Sequence, residues 1–104
     1  MELKDFRGRK IELSDDSWVH IQESHPEVSL EEIKAVLIDP NEVIECPRQQ
    51  FVELFYRIKL NPEGKPRFRM VVVKVLPTGN YISTAMTTTA IKQGRSLYKK
   101  GESI

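Results

Sequence analysis

Arg69-Met-Val-Val-Val-Lys-Val75, then Leu76-Pro-Thr-Gly-Asn80 and Tyr81-Ile-Ser-Thr-Ala85, is the stretch whose reading decides the fold. Three consecutive β-branched valines with apolar neighbours suit a strand covered on both faces, and Pro77-Thr78-Gly79-Asn80 is turn chemistry. The run therefore reads as a central hairpin. Two registers fit it. A two-residue Thr78-Gly79 turn sets Lys74 opposite Ser83, and a three-residue Thr78-Gly79-Asn80 loop sets it opposite Thr84. In both, a lysine lies beside a hydroxyl. Burying a lysine inside a valine run is costly unless its head reaches water or an anion, so Lys74 marks either a snorkelling edge position or the floor of a site.

Outward from the hairpin, Phe51 to Leu60 alternates, with Val52, Leu54, Tyr56, Ile58 and Leu60 on one side and Phe51, Glu53, Phe55, Arg57 and Lys59 on the other. The mixed second face reads as partly wet. Asn61-Pro-Glu-Gly-Lys65 is a hairpin loop into the central strand, where Arg67 and Arg69 share a face. Asn41 to Cys46 reads as a further strand, and Lys10 to Leu13 as a short edge strand. The segment after Thr89 is a short basic tail, helical only in part because of Gly94.

Two helices come before the main sheet. The first runs from about Asp16 to Ser24 behind the capping residues Ser14, Asp15 and Asp16, with Trp18, Ile21, Gln22 and His25 on one side. His20 falls about 140° away from His25, and Pro26 places His25 at the helix end. The second starts at Ser29, whose capping box with Glu32 and Val28–Ile33 staple make it the best-specified boundary in the chain, and stops at Asp39-Pro40. Its apolar stripe is Leu30, Ile33, Val36 and Leu37.

The 104 residues fit one domain with a modest core, and 39% hydrophobic with 30% charged residues is ordinary for a globular protein. No apolar run approaches the roughly 20 residues that span a bilayer, and the start lacks a signal peptide's apolar region, so the expected location is cytoplasmic. Cys46 is the one cysteine, which excludes an internal disulfide and a thiolate metal cluster. The near-neutral total of +1 hides a reversal. Residues 1 to 46 carry five cations against twelve acids, a balance of −7, and residues 47 to 100 carry eleven cations against two acids, a balance of +9. Either the sheet half attracts a polyanion, or the halves pair their charges across the fold.

Cleavage of RNA by its own 2′-hydroxyl requires a base, an acid and cations for the charge on the phosphorane. His20 or His25 suits the first two needs, and Lys74, Arg57 and the Thr84 hydroxyl the third. For either histidine alone, a structural role as a hydrogen-bonded helix residue is the alternative. Histidines five apart do not share a helix face, no carboxylate cluster has metal-ligand spacing and no phosphate-binding glycine loop is present, so neither metal nor cofactor is expected. Phe51, Phe55 and Tyr56 could stack bases, although core packing is the commoner use of such residues.

Trp18-Val-His-Ile21, His25-Pro-Glu27, Leu37-Ile-Asp-Pro40, Val71-Val-Val-Lys74, Ile82-Ser-Thr-Ala85 and Ile91-Lys-Gln-Gly94 through Tyr98 together resemble a small phage- and bacterium-associated group in the barnase, EndoU, colicin and RelE-like ribonuclease superfamily. The resemblance covers most of the chain in order, through short and degenerate motifs. It implies a single α+β domain over residues 1 to 104, with two N-terminal helices packed on a four-stranded antiparallel sheet and a short basic C-terminal segment. It also implies metal-independent RNA cleavage. His20 and His25 match the family's helical histidines, Lys74 its strand lysine and Thr84 its last-strand hydroxyl. Met86 stands where an aromatic residue is expected and Tyr98 where tryptophan is frequent.

The functional expectation is therefore a toxin-like endoribonuclease with His20, His25, Lys74 and Thr84 catalytic, and Arg57, Arg67, Arg69, Ser83 and Tyr98 holding RNA. A toxin would have an antitoxin or immunity protein as its second partner. The alternative is an inert module whose basic sheet binds RNA or an acidic protein. Self-association through a sheet edge is a third reading.

Overall fold

A computed structural model describes residues 1–101. The elements are β1 (Glu2–Lys4), β2 (Lys10–Glu12), α1 (Asp15–Ser24), α2 (Leu30–Ile38), β3 (Glu42–Glu45), β4 (Val52–Leu60), β5 (Pro66–Leu76), β6 (Gly79–Thr88) and β7 (Ser96–Lys99). The strands form one sheet in the order β1-β2-β6-β5-β4-β3-β7.

Both helix starts follow their local chemistry. Ser14 caps α1 by accepting from the Ser17 N–H, and Ser29 and Glu32 form both halves of the capping box that opens α2. Ile33, Val36 and Leu37 of α2, with Ile21 of α1, are buried against Val43, Phe55, Val71, Val73, Ile82 and Ala85 of the sheet. These residues make the helix-side core.

The expected four-stranded antiparallel sheet is corrected. The antiparallel run β3-β4-β5-β6 is present, but it is extended at both ends into a seven-stranded sheet, and that sheet is mixed because β2 pairs parallel to β6. Lys10–Glu12 is not an edge strand, since β1 covers its other side. The basic tail is not helical either. Its Ser96–Lys99 portion is β7, paired antiparallel to β3. Strands of three or four residues carry too few alternating positions to declare themselves; β2 and β3 are ordered against the long β6 and β4, and β1 and β7 then add to the edges so made. Gly94 has a packing reason here, because a Cβ at this position would meet the Glu45 carbonyl oxygen at 2.7 Å.

The mixed face of β4 is partly wet, as its alternation indicates, and it is the face that the helices cover. Phe55 is fully buried beneath the helices, and Glu53, Arg57 and Lys59 beside it are held in ion pairs. Val52, Leu54 and Tyr56 face the other way, where they join Ile44 and Met70 in a second, smaller cluster. No helix covers this second face. The segment between β6 and β7 crosses it instead, with Ile91 packed on the cluster and the Lys92 N–H donating to Tyr56 Oη at 3.3 Å.

Candidate functional site

The central hairpin turns at Pro77-Thr78, because Leu76 pairs with Gly79. Both expected registers are therefore corrected: Lys74 lies opposite Tyr81, not opposite Ser83 or Thr84. Proline is well suited to the first central position of a turn, and that preference moves the loop one residue earlier than Gly79 suggests. A bulge between Val72 and Val73 then leaves Ser83 as the extra residue and sets Thr84 opposite Val72.

Alternation along β5 fixes the faces. Val71 and Val73 belong to the helix-side core, whereas Met70 and Val72 pack with the second cluster, so Lys74 points to the helix-free face. Its neighbours there are Val52 and Tyr81, with Thr84 one row further along. The Thr84 hydroxyl is buried without a hydrogen-bond partner among the described residues.

The histidines sit elsewhere. α1 packs on β6 from the helix side, His20 is exposed on it, and His25 forms its C-cap, donating its backbone N–H to the Ile21 carbonyl. The sheet thus lies between both histidines and Lys74. Tyr98 is likewise on the helix side, its ring 4.4 Å from that of Phe6.

The three strand arginines divide between two clusters on the helix side. Arg57 donates to the carbonyl and carboxylate of Asp39 at the end of α2. Arg69, whose side chain is only 13% exposed, bonds Glu32 at 2.8 Å, the Glu27 carbonyl at 3.1 Å and the Thr87 hydroxyl. Thr87 in turn donates to the Glu27 carboxylate. Lys59 completes this knot at 2.7 Å from Glu32. Burial pushes the Glu32 carboxyl up, but hydrogen bonds from Lys59, Arg69 and the Ser29 N–H overcome it and hold the group at about 2. Glu27 is lowered as well. Its slight burial opposes the shift, and its own backbone N–H and the Thr87 hydroxyl outweigh it, with His25 and Arg69 adding. Arg67 lines the shallow hollow beside this knot and bonds only its neighbour's carbonyl, that of Pro66.

A second knot joins Arg7 and Arg9 of the β1–β2 turn to Glu53 at 2.8 and 2.7 Å, with Arg9 also on the buried Asp5. Part of the charge reversal along the sequence is offset elsewhere, where Arg57, Lys59, Arg69, Arg95 and Lys100 pair with Asp39, Glu32 and Glu45 of the acidic half.

Among the described residues eight cations form no ion pair: Lys4, Lys10, Arg48, Lys65, Arg67, Lys74, Lys92 and Lys99. Three of these bear on the helix-free side of the central strands. Lys74 is on the helix-free face, Lys92 is in the segment that crosses it, and Arg48 is in the loop at its Val52 end. Two exposed aromatics accompany them: Tyr81 opposite Lys74, and Phe51, which is 66% exposed at the start of β4. Phe55 and Tyr56, the other candidates for stacking, are fully buried. Lys92 and Arg48 were not singled out from the sequence. The available signal was the polar Pro47-Arg-Gln-Gln50 turn running straight into an aromatic.

Among the described residues no group of three or more His, Cys, Asp or Glu could hold a metal, and no helix is long and apolar enough to cross a membrane. No family model, curated protein or solved structure matches this chain.

Proposed function

We propose that this domain binds single-stranded RNA on the helix-free face of its sheet. The observation that carries the reading is the division of charge. Of the strand cations under the helices, Arg57, Lys59 and Arg69 are paired with Asp39 and Glu32, whereas Arg48, Lys74 and Lys92 form no ion pair among the described residues and bear on a face that also carries Tyr81 and the Thr84 hydroxyl, with Phe51 exposed at its end. Cations that track a backbone together with aromatics that take bases are what sequence-tolerant recognition of a single strand needs.

Cleavage is a second reading on the same face, favoured by the orphaned Thr84 hydroxyl next to the Lys74 row and the bulge at Ser83. It would proceed without His20 and His25, which the sheet separates from Lys74. An antitoxin or immunity protein enters only if that reading holds.

The test is fluorescence anisotropy of labelled single-stranded RNA against salt. Replacing Arg48, Lys74 and Lys92 by glutamine is expected to weaken binding at least about tenfold and to flatten the salt slope by about 2, at roughly 0.7 per lost phosphate contact. An unchanged affinity and slope in that triple variant would sink the proposal. Incubating the same RNA in EDTA separates the readings, since products that disappear in Lys74→Gln and Thr84→Val but persist in His20→Ala and His25→Ala belong to the helix-free face.

A further inference from the structure

We propose that the hollow under residues 46 to 51 is a pocket for one unstacked nucleobase, with Phe51 as its stacking platform. The inference rests on the RNA-binding reading and adds which part of the RNA enters and where. The hollow has a volume of about 560 Å³ and is lined by Glu45, Arg48, Gln49, Gln50, Phe51 and Glu53, with apolar walls from Val52 and Val75. That volume lies within the roughly 300–1,000 Å³ of small-ligand sites.

Phe51 is the observation that folding does not explain. Its φ of 62° lies in the left-handed region that glycine tolerates and a phenylalanine adopts at a cost. The conformation is held by the Val75 N–H, which donates to the Phe51 carbonyl at 2.7 Å. Exposed packing does not repay it, because the ring remains 66% in solvent. Packing within the fold therefore does not account for this strained and exposed ring, and a planar ligand stacked on it would.

The lining suits a base. The Glu53 carboxylate is already held by Arg7 and Arg9, and the adjacent amides of Gln49 and Gln50 offer donors and acceptors to the edge of a neutral base. Arg48, which has no ion pair among the described residues, is left for the adjoining phosphate. Lys74, paired with Val52 at the pocket wall, joins the hollow to the rest of the helix-free face.

The experiment compares Phe51→Gly, Phe51→Leu and Phe51→Tyr with the unaltered protein, using RNA about ten nucleotides long and an abasic ribose-phosphate strand of equal length. Loss of one base stack is expected to weaken RNA binding about tenfold in Phe51→Gly and Phe51→Leu and less than about twofold in Phe51→Tyr. Thermal stability should not fall in Phe51→Gly, because glycine accepts this φ. The unaltered protein should lose at least as much affinity on the abasic strand as Phe51→Gly loses on RNA, and Phe51→Gly should bind the abasic strand no more weakly than the unaltered protein does. RNA binding that is unaffected by Phe51→Gly and Phe51→Leu overturns the base pocket and leaves the RNA-binding face standing. No binding of RNA by the unaltered protein overturns both.

Discussion

The two faces of the sheet solve opposite problems with similar residues. Under the helices, Arg57, Lys59 and Arg69 lie between acids of α2 and the Glu27 turn, and Phe55 is sealed in the core. On the other face Lys74 has no ion pair among the described residues, Tyr81 opposite it is exposed, and the small cluster around Tyr56 is crossed by the segment between β6 and β7. Most of the strand charge on the first face is spent in ion pairs within the molecule, and Lys74 on the second is in none among the described residues. Counting cations along a sequence cannot separate these uses, because the acids that neutralise them come from another part of the chain.

The sharpest way to break the comparison is in the cores. Phe55→Ala should cost about 3–5 kcal/mol in urea denaturation, because a fully buried aromatic leaves a cavity. Phe68→Ala, on the half-buried rim of the other cluster, should cost about 1 kcal/mol. Equal losses would mean that the helix-free cluster is as well covered as the helix-side one. Next in size, Arg69→Met is expected to destabilise by about 2–3 kcal/mol, since it strands Glu27 and Thr87 and leaves Glu32 with Lys59 alone. Lys74→Met should change stability by less than about 0.5 kcal/mol while weakening RNA binding. If Arg69→Met, still folded, lost more RNA affinity than Lys74→Met, the roles assigned to the faces would be reversed.

Acid sharpens the same contrast. The Glu32 carboxyl ordinarily titrates at 4.5 and is held at about 2 in the fold, so in this window the unfolded chain binds more protons. Its contribution is present above pH 4.5 and is lost as pH falls toward 2. For a group this open to solvent the loss is on the order of 1 kcal/mol after screening. Denaturant midpoints measured across that range should fall, and the Glu32→Gln variant should show a flatter curve. The smallest effect is expected at Thr84→Val. Removing a buried hydroxyl without a partner should raise stability by about 0.5–1 kcal/mol, and a simultaneous fall in RNA binding or cleavage would show that the hydroxyl serves the ligand.

Legibility followed the range of the forces involved. The capping box at Ser29, the apolar stripe of α2, the alternation of β4 and the existence of the central hairpin rest on residues a few positions apart, and they are where the sequence placed them. The hairpin's register was missed because Pro77 and Gly79 compete to define one turn. β1 and β7 were missed because three or four residues carry too little alternation, and β7 in addition takes its pairing from the distant β3. The site divided in the same manner. Lys74 and Thr84 share the helix-free face although they are not cross-strand partners, while His20 and His25, grouped with them by acid-base chemistry as well as by resemblance, and Tyr98, grouped by resemblance, lie on the other side of the sheet.

By itself the sequence determined two capped helices, a long alternating strand, a valine-rich hairpin and a surplus of cations after residue 46, since each is written in neighbouring residues and their spacing. Only the tertiary structure decided which face the helices cover, which cations find acids and which aromatic stays in water. Those outcomes depend on contacts between segments tens of residues apart, such as Arg69 with Glu32 and Arg9 with Glu53, whose pairing is fixed by packing and not by local spacing.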